Sequence, residues 1–331
     1  MKAWHFHGTG KPFERVEIEE PKASAGKVVI DVQAAGLCHS DVGILEDEGW
    51  MGLMKVMPVV PGHETAGIIS EIGEGVTDWS VGDKVAVWPM IGPFGYGVNG
   101  GWEAKAEVDP EQLVAMPEGI SFEQAAAATD AGMTSAGAVF GKGRVKAGMK
   151  VGIIGFGGLG QIGARLAHLE GAEVYVAEIK EDVWEQAKVG GAVKVAKSIT
   201  EFKDDELDVI IDFAGFGTTT NEAIQTVKFQ GRVVLVGMGK LEATIDTNAM
   251  ILGQVELVGS NGGSKDDIAS VMKWIASGDL EPTLSVIDFE EIADGVERLK
   301  RGEVTGRLVA KVAEQNLPLT QSLAPRPRSL Q

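Results

Sequence analysis

The first hundred residues carry a strand-like pattern of apolar and polar positions. Apolar residues recur at every second position, a period that predicts a half-buried strand, in the series Val28, Ile30, Val32 and Ala34. Further short apolar runs are separated by the turn sequences GEG at 73–75 and VGD at 81–83. We therefore predict a β-rich region, in which the glycine-rich stretch 91–101 is a loop.

From about Ser121 the pattern changes to alternating strands and helices. An alanine-rich run predicts a helix over 122–128. The predicted strands that follow span 151–155, 173–178, 208–213, 232–237, 255–259 and 307–312. Apolar residues three or four positions apart predict helices over 161–170, 268–275 and 292–299. Alternating β and α units are typical of an α/β fold with a parallel, doubly wound sheet.

One turn between a predicted strand and helix has the form G-x-G-x-x-G. Its residues are Gly155, Phe156, Gly157, Gly158, Leu159 and Gly160, and an acidic residue, Glu178, follows 18 positions after the last glycine. In this context the glycines let the backbone approach a pyrophosphate, which then lies at a helix N-terminus. The sequence predicts a Rossmann dinucleotide site, and the alternative is a glycine-rich turn that binds nothing.

Glu178 also bears on the choice of dinucleotide. A carboxylate at the end of the second strand accepts hydrogen bonds from the adenosine ribose and repels a 2′-phosphate, so we expect NAD rather than NADP. Lys180 works against this preference, unless it is a solvated surface lysine.

Charge and composition exclude several classes of partner. The formal net charge is −18, and such a field repels nucleic acid and anionic membranes, so we expect neither as a partner. No apolar run approaches the roughly 18 residues that span a bilayer. The N-terminus does not resemble a secretory signal, so we expect a cytoplasmic protein.

The single cysteine, Cys38, limits what kind of metal site the chain can form. No intrachain disulfide and no site with two or four cysteines is possible. Cys38 precedes His39, Ser40 and Asp41, and the pair His63-Glu64 begins 25 residues after it. A thiolate, an imidazole and a carboxylate are good zinc ligands. The alternative is that Cys38 is a small buried apolar residue and His63 an ordinary polar one.

Five segments, in this order, carry a resemblance to a known family. They are AAGLCHSD (34–41), PGHETAG (61–67), GVTDWSVGDKVAV (75–87), GFGGLGQIG (155–163) and TGRLVAKV (305–312). The chain resembles the zinc-dependent medium-chain alcohol dehydrogenases up to about Val312. Zinc-free quinone reductases share several glycine motifs, but Cys38 and the His63-Glu64 pair distinguish the two groups.

The resemblance implies a fold, an activity and two domains. The fold is a Rossmann doubly wound sheet, predicted for 131–263, with a β-rich GroES-like catalytic domain, predicted for 1–130 and 264–331. The activity is reversible hydride transfer between NAD(H) and an alcohol and its aldehyde or ketone. Two alternatives stay open: a zinc-free reductase of activated double bonds and a non-catalytic dinucleotide-binding protein.

The resemblance also implies a metal site. Cys38, His63 and Asp130 would be zinc ligands, although Asp130 could instead be a helix N-cap. Glu64 would lie behind the metal, and Asp41 would orient the imidazole of His63. The family's second, structural zinc needs four cysteines, so we expect one catalytic zinc per subunit, with the stretch 91–101 in place of the structural-zinc lobe.

Roles in proton transfer and cofactor binding carry over in the same way. Ser40 would accept the alcohol proton, but Gly43 stands where many relatives have a histidine, which leaves the outer end of the proton relay open. Thr134 would pack on the nicotinamide. His39 would contact the pyrophosphate or be an exposed loop residue, and Arg307 would reach a phosphate or be a surface arginine.

Two further expectations concern the substrate and the assembly. Trp50 and Trp88 fall where the resemblance places substrate-pocket walls, which favours an apolar or aromatic substrate, unless both are ordinary core residues. The strand 255–259 resembles the family's subunit-pairing edge, so we expect a homodimer or a homotetramer. The proline-containing tail, 317–331, is expected to be disordered or a docking arm.

Overall fold

The computed structural model describes residues 1–312, apart from the side chain of Leu53. The predicted tail at 317–331 lies outside this part of the chain. Within residues 1–312, no helix is both long and apolar enough to cross a membrane.

The strands form two large sheets and one hairpin. In chain order they are β1 (Lys2–His5), β2 (Glu14–Glu17), β3 (Val28–Leu37), β4 (Thr65–Ile72), β5 (Lys84–Val87), β6 (Lys105–Val108), β7 (Leu113–Ala115), β8 (Lys150–Ile154), β9 (Glu173–Ala177), β10 (Ala192–Ala196), β11 (Val209–Asp212), β12 (Arg232–Leu235), β13 (Glu256–Gly259), β14 (Leu284–Asp288) and β15 (Arg307–Lys311). The hairpin pairs β1 with β2.

The α-helices are concentrated in the second half of the chain. They are α1 (His39–Glu46), α2 (Phe122–Ala127), α3 (Met133–Ala136), α4 (Gly160–Leu169), α5 (Trp184–Val189), α6 (Thr218–Thr226), α7 (Thr247–Gly253), α8 (Lys265–Ser277) and α9 (Ile292–Lys300). Two π-helical turns, Ala128–Gly132 and Gly137–Lys142, lie on either side of α3.

Six parallel strands form the doubly wound sheet, in the order β10-β9-β8-β11-β12-β13. This confirms the predicted Rossmann architecture. β8 carries an unbroken buried apolar run, Val151 to Ile154, because helices cover both faces of such a sheet. β10 was not predicted, because in this edge strand Val193 and Lys194 are both exposed and the period of two is lost.

The seven-stranded sheet is mostly antiparallel and joins both ends of the described chain. Its order is β14-β15-β3-β4-β5-β7, and β6 also pairs with β3. β3 is ten residues long and pairs with two strands along one edge. Its first four residues pair with β6, and its last four residues pair with β15. This arrangement confirms a β-rich domain beside the Rossmann sheet. The exact domain boundaries stay a prediction.

Candidate active site

The carboxyl end of β3 lies between two strands that bring in charged residues. β15 pairs with β3 with Leu308 opposite Leu37, a register that places Arg307 beside Cys38. On the other side of β3, the Gly36 N–H donates to the carbonyl of Glu64 at 2.7 Å. Strand pairing therefore gathers Cys38, Glu64 and Arg307 from three distant segments.

Gly36 leaves the space that the Glu64 side chain needs. A Cβ atom at this position would lie 2.3 Å from Oε2 and 2.7 Å from Cδ of Glu64. Both distances are far below van der Waals contact, so any larger residue would displace the carboxylate. The glycine in AAGLCHSD thus has a packing role at the site.

Asp130 is supplied by the π-helical turn Ala128–Gly132. Helical residues precede and follow this turn, so the alternative that Asp130 is a helix N-cap is wrong. π turns inside helices occur frequently at functional sites. Thr134, one turn later, donates its hydroxyl to Asp130 Oδ1 at 3.0 Å and holds the carboxylate in place.

Four potential metal ligands meet at this point. Sγ of Cys38, a ring nitrogen of His63 and carboxylate oxygens of Glu64 and Asp130 all lie within 4.8 Å of one another. Sulfur, imidazole nitrogen and carboxylate oxygen together form a donor set that suits zinc. It is the only such group of three or more ligands that residues 1–312 contain.

Asp41 lies behind the imidazole of His63. Its Oδ2 accepts a hydrogen bond of 2.7 Å from the Cys38 N–H, and its Oδ1 faces His63 Nδ1 at 3.8 Å. Both facing atoms are buried and lack another hydrogen-bond partner. Nδ1–H of His63 is therefore directed at Asp41, and Nε2 is left toward Asp130, 3.7 Å away. This is the arrangement by which an outer carboxylate orients a metal-binding histidine.

Arg307 is almost fully buried and offsets part of the negative charge at the site. Its Nε donates to Glu64 Oε2 at 2.8 Å, and its Nη2 donates to Glu64 Oε1 and, at 2.7 Å, to Asp130 Oδ2. The alternative that Arg307 is a surface arginine is therefore wrong. Its Nη1 lies near Gly158, because a Cβ atom added to this glycine would be 3.5 Å from it. The expected phosphate contact stays a prediction.

The pKa directions show that the site favours a positive charge among its ligands. Burial opposes charge on His63, but Asp130, Cys38 and Asp41 outweigh it and raise the His63 pKa well above its usual value. Desolvation also opposes charge on Asp130, yet the neighbouring imidazole of His63 and the charge of Arg307 lower the Asp130 pKa. Burial raises the pKa of Glu64 to about 7 against the charge of Arg307. A bound cation would relieve the mutual repulsion of these carboxylates.

Tyr96, which was not predicted as a site residue, contacts two of the predicted ones. Its hydroxyl donates to Ser40 Oγ at 2.8 Å, and its ring stacks on His63 with centroids 5.0 Å apart and planes 25° apart. Tyr96 lies in the glycine-rich stretch 91–101. An isolated tyrosine in a loop without periodicity gives no signal of such a contact.

The glycine motif has the geometry that a close approach to a phosphate requires. Gly155 has a φ of +83°, and Gly160, the first residue of α4, is so close to the Gly155 carbonyl that a Cβ would lie 1.8 Å from its oxygen. Gly157 is exposed and a Cβ there would meet no atom within 4 Å. Gly155 and Gly160 are thus required by the turn itself, whereas the space beside Gly157 is open.

Glu178 is held at the end of β9, next to this turn. Its Oε2 accepts from the N–H of Phe156 at 2.7 Å, and its Oε1 accepts from the N–H of Lys180 at 2.8 Å. The ammonium of Lys180 donates to the carbonyl of Gly302 at 2.7 Å, and the residue is exposed, as expected of a surface lysine.

One cavity connects the glycine motif with the ligand cluster. It has a volume of about 190 Å³. Its lining includes Cys38, His39 and Arg307 from one side and Gly157, Gly158, Leu159 and Lys180 from the other. Desolvation and the charge of Arg307 lower the pKa of His39. The cavity places the predicted cofactor residues beside the predicted metal ligands.

The two tryptophans are not among the residues that line this cavity. The Trp50 ring packs on Gly43 of α1, and Trp88 donates its indole N–H to the carbonyl of Gly263 at 3.0 Å. Both side chains are partly buried against apolar core residues. Their role as substrate-pocket walls stays a prediction, as does the contact of Thr134 with a nicotinamide.

Two known domain families match this chain. Residues 24–118 match the alcohol dehydrogenase GroES-like domain, and residues 158–277 match the zinc-binding dehydrogenase domain. An alcohol dehydrogenase of Geobacillus stearothermophilus is 30% identical over 94% of this chain and 100% of its own length.

Two solved structures are similar over nearly their whole length. The alcohol dehydrogenase of the archaeon Aeropyrum pernix is 27% identical with a TM-score of 0.86, covering 94% of this chain and 100% of its own. Acetophenone reductase of Geotrichum candidum, solved in complex with NAD, is 26% identical with a TM-score of 0.84, covering 95% of this chain and 98% of its own. The chain therefore belongs to the zinc-type alcohol dehydrogenases of the medium-chain dehydrogenase family.

Proposed function

We propose that this protein is a zinc-dependent alcohol dehydrogenase that transfers hydride reversibly between NAD(H) and an alcohol or its aldehyde or ketone. The observation that carries the proposal is the group of thiol, imidazole and carboxylate ligands within 4.8 Å of one another, next to a cavity that reaches the glycine motif. A protein that only binds a dinucleotide has no need of such a group.

The ligand roles follow from the donor set. Cys38, His63 and Asp130 would hold one zinc ion, and the chemistry that the ion supplies when bound is Lewis acidity toward the alcohol oxygen. Glu64, which Arg307 binds on both oxygens, would remain behind the metal. Asp41 would fix the tautomer and orientation of His63. With a single cysteine in the chain, we propose no structural zinc.

The remaining residues would bind the cofactor and move the proton. Ser40 would accept the alcohol proton at Oγ as hydride leaves for the nicotinamide. The turn from Gly155 to Gly160 would hold the pyrophosphate, and Glu178 would accept bonds from the ribose of NAD. The similar acetophenone reductase, named for an aromatic ketone, is consistent with an apolar or aromatic substrate.

We also propose that the protein is a homo-oligomer. β13 forms one edge of the six-stranded sheet, and Ile251 and Leu252, on the helix before it, are each about 70% exposed. An open strand edge beside exposed apolar residues favours pairing with a second copy. The mass of the native protein in solution checks this point and distinguishes a dimer from a tetramer.

The experiment that tests the activity combines metal analysis with a substrate screen. We expect about one zinc per chain and oxidation of apolar and aromatic alcohols with NAD in preference to NADP. Cys38→Ala should lose both zinc and activity, while its affinity for NAD should persist because the glycine motif is untouched.

Three results would contradict the proposal in different ways. Zinc and full activity retained in Cys38→Ala would exclude the metal site. A zinc-free protein that reduces activated double bonds would be a reductase of the same superfamily. A protein with no turnover across alcohols and carbonyls would be a non-catalytic dinucleotide-binding protein.

A further inference from the structure

We infer that Tyr96 is a positioning residue, which holds the Ser40 hydroxyl in the orientation needed to receive and pass on the substrate proton. The inference rests on the proposed function, in which Ser40 accepts that proton.

The geometry fixes Tyr96 at both ends of its side chain. The hydroxyl donates to Ser40 Oγ at 2.8 Å, which is an ordinary length for a bond between two hydroxyls. The ring is stacked on the imidazole of His63, itself held by Asp41. A tyrosine placed in this way constrains Ser40 through a rigid ring rather than through a flexible chain.

The hydrogen bond from Tyr96 to Ser40 matters because a hydroxyl can form only a limited number of hydrogen bonds. A serine hydroxyl has one hydrogen to donate and two lone pairs that accept. Tyr96 occupies one lone pair of Ser40, which leaves one lone pair for the alcohol proton and the serine hydrogen for the next acceptor. In the transfer the alcohol O–H bond would break, a new O–H bond would form on Oγ, and the original Ser40 hydrogen would pass to a hydroxyl of the nicotinamide ribose of bound NAD. Tyr96 keeps its own proton, and the electron pair leaves the substrate as hydride to NAD.

Position 43 of α1 provides no second side-chain partner for Ser40. Gly43 lies three residues after Ser40 on α1, and a Cβ at this position would lie 2.6 Å from the Trp50 ring. No side chain fits there without moving the indole. This turn of α1 therefore offers Ser40 no side-chain partner at position 43.

The glycine-rich stretch 91–101 places Tyr96 by close backbone contacts. Gly95 has a φ of +82°, and a Cβ on it would lie 2.8 Å from the backbone nitrogen of His63. A Cβ on Gly100 would lie 2.6 Å from the Gly62 carbonyl oxygen, and the Gly101 N–H donates to that oxygen at 2.7 Å. The stretch is thus bound directly to the segment that carries His63, and the position of Tyr96 is set by the backbone.

The test compares Tyr96→Phe with the wild type. Phenylalanine keeps the ring stacked on His63 and removes only the hydroxyl. We expect kcat for alcohol oxidation to fall roughly tenfold, the effect of one hydrogen bond of ordinary strength. The solvent isotope effect on kcat should rise, because proton transfer becomes slower relative to the other steps. Zinc content and the Kd for NAD should stay unchanged, and these do not depend on turnover.

Two further variants separate positioning from a structural role. In a Ser40→Ala background, Tyr96→Phe should produce no further loss, because the hydroxyl that Tyr96 orients is absent. The matched control is Tyr175→Phe, which removes the hydroxyl of the chain's other tyrosine, on β9. It should leave both kcat and the isotope effect unchanged.

The outcomes distinguish this inference from the proposed function. A Tyr96→Phe variant with wild-type kcat and isotope effect would overturn the inference, and so would an equal loss in the Ser40→Ala background. A loss of zinc in Tyr96→Phe would assign Tyr96 to packing on His63 and overturn it as well. A wild-type protein that oxidises no alcohol would refute the proposed function itself.

Discussion

The ligand cluster and the glycine motif are neighbours in space, but they are built in opposite ways. The motif is one continuous turn between β8 and α4, and its chemistry belongs to the backbone. The cluster draws on four segments, and its chemistry belongs to side chains that lie as far apart in the sequence as Glu64 and Arg307, 243 residues. One region depends on missing side chains, and the other depends on charges that compensate one another.

This difference determines how each region should respond to substitution. In the cluster, removal of Arg307 leaves two carboxylates buried without their cation. In the motif, addition of a single methyl group is the damaging change. Predictions for these two regions follow from the largest expected effect to the smallest, and a prediction for an exposed ion pair completes the series.

Arg307→Met should lower the free energy of unfolding by about 3–5 kcal/mol, because breaking a buried ion pair strands a buried charge. Here Glu64 and Asp130 both lose their partner. Chemical denaturation measures the loss. The control is Arg15→Met, whose partner Glu290 is about half exposed, and it should cost less than about 1 kcal/mol. Equal losses of unfolding free energy in the two variants would show that the buried ion pairs of Arg307 stabilise the protein no more than the exposed pair of Arg15.

Gly160→Ala should destabilise the protein by about 1–3 kcal/mol, the usual effect of overpacking. The new methyl group would lie 1.8 Å from the Gly155 carbonyl oxygen and force the turn apart from α4. The Kd for NAD should rise along with this loss of stability.

The matched control is Gly157→Ala, whose methyl group would meet no atom within 4 Å. Its free energy of unfolding should stay within about 0.5 kcal/mol of the wild type. Its Kd for NAD should nevertheless rise, because the methyl group enters the space that the pyrophosphate needs. Two glycine variants with the same stability would contradict the separate roles assigned to them.

Glu178→Gln should reduce the preference for NAD over NADP roughly tenfold, which corresponds to about 1.4 kcal/mol. The amide keeps an oxygen that can accept from Phe156 but loses the charge that repels a 2′-phosphate. The ratio of kcat/KM values for the two cofactors measures the change. Glu173→Gln, an exposed position at the start of the same strand, should leave the ratio unaltered. An unchanged ratio in Glu178→Gln would remove Glu178 from cofactor selection.

Glu290→Gln should cost about 0.2–1 kcal/mol at neutral pH, since its ion pairs are exposed. Hydrogen bonds from Arg15 and Lys2 lower the pKa of Glu290 from 4.5 to about 2 in the folded protein. The stabilisation is therefore complete above pH 4.5 and is lost as the pH falls toward 2. Unfolding measured at several pH values should show the two proteins converging in acid. A difference that is constant with pH would exclude the ion pair as its source.

Much of the fold could be predicted because its signals are local. The period of β3, the apolar run of β8 and the stripes of α8 and α9 each reflect one element against the core. The same holds for the glycine motif, whose turn and helix start lie within six residues. β10 escaped because an edge strand need not bury one face.

The site was harder to predict than the fold. The resemblance pointed to Cys38, His63 and Asp130, and the structure places them together. Arg307 was expected near a phosphate or at the surface, and the buried pairing with Glu64 and Asp130 had no signal in its own segment. Tyr96 was missed because its partners, Ser40 and His63, come from two other segments.

The sequence by itself determined most of the elements, that a dinucleotide turn follows β8, and that only one thiol is available for a metal. The tertiary structure decided what meets at the end of β3. The register that sets Leu308 opposite Leu37 brings Arg307 to Cys38, and the glycine at 36 admits the carboxylate of Glu64. Side-chain periodicity specifies which face of a strand is buried, but not which distant strand pairs with it. For that reason the glycine motif could be predicted from the sequence, whereas the contacts of Arg307 and Tyr96 became apparent only in the folded protein.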